Sequence, residues 1–416
     1  MKKIIKNPAQ ILTINSDGQG FKRGTHLEDI GLLENHSIII ENEVIKDFIP
    51  NSRINKHKAD EIIDADGKVA MPGLIDCHTH TAFAGSRANE FRQKLKGICY
   101  EEIAKKGGGI NTTVDAVRKS SFDELVKIVK PRIDNYICQG VTTLEIKSGY
   151  GLSFYDEVKL LQVIKHLNSI TEIDIVPTFL GAHTYPREYK NDHSSYIDII
   201  IKEMIPYVAN HKLAVFCDGF CEKGSFTAKE IDLIFTKAVE HGLKLKLHTE
   251  QFNNIGGLQV ALKHTALTVD HLEVIKEDDI PLLAESNTIA VLLPGVSFFL
   301  DYEYAPARKL IESEAIVALA TDFNPGSSHI SNMSLIMSLA SIKMKMSMEE
   351  TLSAITLNAA AALDLGNTCG SLEINKAADF AIFEVEDYSE IVYSAAHNLN
   401  CMTIKKGEVI YNKNRE

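Results

Sequence analysis

In "MPGLIDCHTHTAFAGSR", residues 71–87, a short apolar run gives way to two histidines one residue apart. In an extended segment alternate side chains share a face, so His78 and His80 can reach one ion together. The same pattern of apolar run followed by chemistry repeats through the middle of the chain. Runs at 73–76 (GLID), 141–146 (VTTLEI), 173–180 (IDIVPTFL), 213–217 (LAVFC), 243–247 (LKLKL), 266–270 (ALTVD), 289–293 (IAVLL) and 316–321 (IVALAT) each precede polar or glycine-rich residues and then a helical pattern. Eight strand-like runs alternating with helices predict an α/β fold, a (β/α)8 barrel of the TIM type. In FDELVKIVKPRIDNYICQG (122–140), Leu125, Ile128, Val129, Ile133 and Tyr136 lie near helical spacing. Pro131 is expected to kink or restart that helix, and Gly140 to end it.

The two ends have a different texture. SIIIENEVIKDFI and EIIDADGKVAM near the start, and GSLEINKAADFAIFEV and CMTIKKGEVIY near the end, are short β-type runs between polar turns. They predict one small, mostly antiparallel β-sandwich domain assembled from residues 1–70 and 366–416, with the barrel (71–365) inserted between them. The 416 residues, 45% of them hydrophobic, suffice for such a pair. A net charge of −12 without long single-sign blocks argues against non-specific nucleic-acid binding. No run approaches 18 apolar residues and the start lacks a cleavable leader pattern, so neither a membrane span nor secretion is expected. Seven scattered cysteines fit reduced core thiols, including the pair Cys217 and Cys221.

Barrel chemistry is built from loops after the strand C-termini. His78 and His80 follow the first run, Lys147 and Tyr150 the second, and His183 the third. Asp218 and Glu222 follow the fourth, His248, Glu250 and Gln251 the fifth, His271 and Glu273 the sixth, and Asp322 and Asn324 the last. His78, His80, His248 and Asp322 make a three-nitrogen, one-oxygen set suited to one Zn²⁺ or iron ion per subunit. Arg87, seven residues beyond His80, offers a bidentate grip for a carboxylate. Glu222 is a possible ligand of a second ion, and Lys147 is expected to be ion-paired. On a regular strand Lys244 and Lys246 would share the inward face of His248. The glycine-rich stretch Gly107–Gly109 is read as a lid or an ordinary turn.

PGLIDCHTH, LATDFNPG and the tail TLNAAAALDL…GSLEINKAADFAIF together resemble the amidohydrolase superfamily over nearly the whole chain. GSRANEF, EIKSGYGL, PTFLGAH, HTEQF, VDHLE, LLPGVSFFL and TDFNPGS, in order, are similar to one branch of it, whose members open 4-imidazolone-5-propanoate in histidine degradation. The resemblance implies a cytoplasmic, homodimeric hydrolase that cleaves a cyclic amide C–N bond with a metal-activated water and yields N-formimidoyl-L-glutamate. It places metal ligands on His78, His80, His248 and Asp322. Substrate contacts fall on Arg87, Tyr100, Tyr150, His183, Gln251, His271, Asn324, Gly326 and Ser327. Catalytic roles fall on His271 and Asp322 as proton carriers, on His183 as a donor to the developing oxyanion, and on Gln251. Some members carry glutamate where Gln251 stands; an amide cannot titrate, which removes a base from that position. Glu250 is the alternative base. A heterocycle deaminase would use the same ligands, and a non-catalytic homologue would have no need to retain them.

Overall fold

The computed structural model describes residues 1–97 and 108–415. Tyr100, Cys99 and the first glycine of Gly107–Gly109 lie outside them. The N-terminal segment forms β1 (Lys2–Lys6), β2 (Gln10–Leu12), β3 (Leu32–Glu34), β4 (His36–Glu41), β5 (Val44–Pro50), β6 (Glu61–Asp64) and β7 (Val69–Pro72). The barrel strands are β8 (Leu74–Asp76), β9 (Val141–Lys147), β10 (Asp174–Ala182), β11 (Phe216–Cys221), β12 (Lys244–Thr249), β13 (Thr268–His271), β14 (Ile289–Leu292) and β15 (Val317–Leu319). The chain ends with β16 (Phe380–Phe383), β17 (Asn400–Lys405) and β18 (Glu408–Asn412).

Strands from the two ends mix. One sheet runs β5-β4-β1-β6 and a second runs β18-β17-β16-β7-β2-β3. Most pairs are antiparallel; β1–β6 and β2–β7 are parallel. Ile5, Ile38, Ile40 and Ile63 of the first sheet share one apolar cluster with Ile11, Phe380, Ile382 and Ile404 of the second. That shared core is what sandwiches the sheets. β7 passes directly into β8 through Gly73, where a Cβ would come within 2.2 Å of Thr142 Oγ1. Glycine is required there by the approach of β9, not by its own backbone.

The eight central strands are parallel and ordered by sequence from β8 to β15, so the fold is the expected (β/α)8 barrel. The seam between β8 and β15 is closed beyond the strands themselves. Asp322 N donates to His78 O (3.0 Å), His80 N donates to Phe323 O (3.0 Å), and Thr79 bridges Phe323. Three candidate ligands therefore lie on the hydrogen bonds that close the ring.

Two expectations are corrected. α1 (Ala88–Lys94) and α2 (Ile110–Lys119) precede α3 (Phe122–Cys138), which continues through Pro131 as one helix and does not restart there. A capping box at Ser121 and Glu124 and a buried face of Leu125, Val129, Ile133, Tyr136 and Ile137 outweigh the missing backbone donor. Gly140, at φ 93°, follows the helix end as expected. The fourth strand lies at 216–221 rather than 213–217, because its inward Asp218 is neutralised inside the barrel and interrupts the apolar run. Among the described residues no helix is long and apolar enough to cross a membrane.

Candidate active site

The barrel interior is apolar at one level and charged above it. Ile75, Val176, Phe216, Ile289, Val291 and Ala318 form part of one buried cluster. Toward the strand C-termini come Glu145, Lys147, Asp218, Lys246 and Asp270, all fully buried. Lys147 Nζ donates to Asp218 Oδ2 (2.8 Å) and lies 2.9 Å from Glu145 Oε2 and 3.9 Å from Asp270 Oδ2. Lys246 Nζ donates to Glu145 Oε1 (3.0 Å) and Cys77 O (2.8 Å). Lys147 is thus ion-paired, and its carboxylate partners hold its pKa above the usual range despite burial. Lys246 points inward as parity requires, while Lys244 is exposed and pairs with Asp364.

Above this layer the candidate ligands converge. His78 Nδ1 lies 2.6 Å from Asp270 Oδ2, and His248 Nδ1 lies 3.1 Å from Asp218 Oδ1. A carboxylate only accepts, so both Nδ1 atoms carry the proton and both Nε2 atoms present lone pairs. His78 Nε2 faces Asp322 Oδ1 at 3.3 Å, His80 Nε2 faces the same oxygen at 3.2 Å, and His248 Nε2 faces His80 Nε2 at 3.2 Å. His78 Nε2 and Asp322 Oδ1 are buried without a hydrogen-bond partner.

Lone pairs aimed at lone pairs in a dry interior call for a cation between them. The charges agree in sign: the buried carboxylates Glu145, Asp218, Asp270 and Asp322 outnumber the buried cations Lys147 and Lys246, which favours a cation between them. Burial and Lys147 oppose a charged His78, yet Asp270 and Asp322 draw its pKa up to about 9, so Nε2 holds a proton until a metal displaces it. Burial pushes the Asp322 carboxyl up, but His78 and His80 hold it well below the usual range. The residues present fit a divalent metal.

Backbone strain aims the remaining groups. His271 has φ 88° and Leu272 φ 68°, so Asp270 and His271, adjacent in sequence, both face the ligand cluster. A His271 nitrogen comes within 4.8 Å of ligand atoms of His78 and His248, and its Nδ1 lies 3.4 Å from Glu273 Oε1. Glu250 (φ 57°) and Asp322 (φ 48°) are also left-handed. Asn324 Nδ2 donates to Asp322 Oδ2 (2.9 Å) and Ser327 Oγ (2.9 Å), while its Oδ1 accepts from Gly326 and Ser327 N–H (both 2.8 Å). It knits the turn that carries Asp322.

A cavity of about 750 Å³ opens over this cluster and brings together Arg87, Tyr150, His183, Gln251, His271, Asn324, Gly326 and Ser327 with His80, His248 and Asp322. His183 Nδ1 bonds Gly149 O (2.9 Å), which fixes the proton there; burial and His80 lower its pKa to about 3. Its Nε2 is therefore an acceptor, which does not suit the oxyanion-donor role expected of it. Glu222 lines the cavity, but its carboxylate accepts from the N–H groups of Lys223, Phe252 and Asn253. Both of its oxygens already accept, and they hold the Gln251 turn. Glu250 is raised to about 7 by burial and Asp279, yet it bonds Asn254 and is not among the cavity-lining residues.

Sequence reasoning missed Asp270, Glu145 and the inward role of Asp218. Each falls in or beside an apolar run at an inward position, on a strand next to one that leads to a ligand, and that parity was the available signal.

A family model described as the amidohydrolase family matches residues 69–410. The imidazolonepropionase of Thermoanaerobacter pseudethanolicus is 46% identical, covering 92% of this chain and 92% of that protein. That of Christiangramia forsetii is 42% identical, covering 96% and 97%. The chain belongs to the imidazolonepropionase family. As a member it is a hydrolase of the amidohydrolase superfamily acting on C–N bonds in cyclic amides. More distant solved structures share the fold. A zinc-bound adenosine deaminase from Xanthomonas campestris superposes with a TM-score of 0.72 at 16% identity, over 99% of this chain and 93% of that one. E. coli guanine deaminase gives 0.71 at 13% identity, over 99% of each.

Proposed function

We propose that the chain hydrolyses 4-imidazolone-5-propanoate to N-formimidoyl-L-glutamate. The observation that carries this is one cavity lined both by the His/Asp cluster and by Arg87. The cluster suits hydrolysis; the guanidinium suits a substrate with a carboxylate tail. Deamination of an uncharged heterocycle would leave Arg87 without that task. His78, His80, His248 and Asp322 would hold one Zn²⁺ or Fe²⁺/Fe³⁺ ion per subunit. When bound, such an ion supplies Lewis acidity for water and for the ring carbonyl.

The chain's own groups do the rest. Arg87 and Tyr150 hold the propanoate, so the planar ring lies over the cluster. Ser327, Gly326 and Asn324 shape that wall, and Gln251 and the Nε2 acceptor of His183 suit the ring N–H groups. Water adds to the carbonyl carbon while Asp322 accepts its proton. The C–N bond breaks as that proton passes to the leaving ring nitrogen, with His271 orienting the water. A homodimer in the cytoplasm completes the reading, on the family relation alone. Metal-loaded protein mixed with fresh 4-imidazolone-5-propanoate should consume the ring absorbance. Loss no faster than the spontaneous rate would sink the substrate assignment and leave the metal site standing.

A further inference from the structure

The geometry points to Glu90 as the positioning residue of the carboxylate grip: it holds Arg87 so that the Nη end, not the Nε edge, meets the substrate. This rests on Arg87 receiving the substrate carboxylate. Arg87 Nε donates to Glu90 Oε2 at 2.9 Å, and both side chains are 10% exposed. The other oxygen, Oε1, accepts from Gly109 N–H (3.0 Å) and from Thr112 Oγ1 (2.9 Å). Both oxygens of Glu90 are thus engaged by donors, and Glu90 ties α1 to the start of α2. An incoming anion meets a carboxylate whose lone pairs are already turned to donors, beside a guanidinium that cannot swing.

The opposite side is fixed as well. A Cβ at Gly326 would lie 2.1 Å from Arg87 Nη1, so the Nη end rests directly on the turn that Asn324 builds around Asp322. Arg87 is aimed by Glu90 behind it and by the bare backbone of Gly326 in front. Orientation matters because a guanidinium grips a carboxylate bidentately only along one of its edges. With Nε taken by Glu90, the bidentate edge that remains is the one formed by Nη2 and by Nη1, which packs on Gly326.

Calorimetry on the metal-loaded full chain tests this with imidazole-4-propanoate and its tail-less counterpart 4-ethylimidazole. Glu90→Ala should weaken the propanoate about tenfold, the scale of a hydrogen bond to a charged group, and leave 4-ethylimidazole within about twofold. In an Arg87→Met background the same substitution should add less than about twofold, because its effect acts through Arg87. Glu90→Gln, which keeps the shape and is the safer variant for folding, should show the same selectivity at a smaller factor. Equal weakening of both probes would overturn the proposal by assigning Glu90 a structural role. So would an equal loss of propanoate affinity with and without Arg87. If Arg87→Met itself spares the propanoate, the carboxylate reading falls and the proposal with it.

Discussion

At Gly326 the demand for glycine is steric, since its φ is not in the left-handed region and the Arg87 guanidinium fills the space a Cβ would take. Gly326→Ala should push that guanidinium aside. We expect KM for the substrate to rise about tenfold or more, with kcat changed less, in steady-state assays. His271 makes a different demand. Its ring reaches the cluster of His78 and His248 through a strained backbone, and on the proposed ligand set it lies beside the metal rather than on it. His271→Phe should keep the bound metal, read by elemental analysis, while kcat falls roughly 10²–10⁴-fold. Near-normal turnover would remove His271 from orienting the water.

Elements place these residues by parity and by capping. β9 brings Glu145 and Lys147 inward, β11 Asp218, β12 Lys246 and His248, and β13 Asp270. Lys147 is the centre of this layer, touching the carboxylates that orient His248 and His78. Lys147→Met would take the buried cation away from Asp218 and leave Glu145 with Lys246 alone. Stability should drop by about 3–5 kcal/mol in a denaturant melt, the scale for breaking a buried pair from one side. An unchanged midpoint would show that the layer is relaxed by water or protons. α3 contributes from outside the barrel. Arg132, next to Pro131, donates to Thr81 O (2.8 Å) and Phe83 O (2.7 Å) and lies 3.6 Å over the Phe83 ring, bracing the loop that follows His80. Pro131 was legible as a breaker; that the helix carries through it to deliver Arg132 was not.

On the scale of the molecule, the two chain ends are joined by Glu373. Its Oε1 accepts from Ser16 N–H (3.1 Å) and Oγ (2.8 Å) and from Ser371 Oγ (2.6 Å), and pairs with Lys376 (2.9 Å). Burial raises its pKa, but Ser371, Lys376 and Ser16 outweigh that and hold it at about 2, against 4.5 when unperturbed. A depressed carboxyl stabilises above its unfolded pKa and loses that contribution as pH falls through the folded one. Glu373→Gln should therefore cost about 1 kcal/mol at pH 7, allowing for solvent screening of a partly exposed group. The gap to the wild-type chain should close between about pH 4.5 and about 2. Urea melts stepped through pH check this, and a constant gap would contradict it.

Much was legible along the chain because period-two and helical patterns are local. The apolar runs predicted the barrel, the β-type ends predicted a sheet domain built from both termini, and strand-end positions singled out His78, His80, His248 and Asp322. What only the tertiary structure decided depends on partners from other strands. The seam that closes the barrel runs through His78, His80, Asp322 and Phe323. Asp218 and Asp270 set the tautomers of His248 and His78, and Lys147 balances their charge. Gly149 turns His183 from donor to acceptor. Glu90 and Gly326 together aim Arg87. The reason is physical: a side chain's periodicity is written in its neighbours along the chain, whereas its proton, charge and direction are set by groups that only folding brings within about 3 Å.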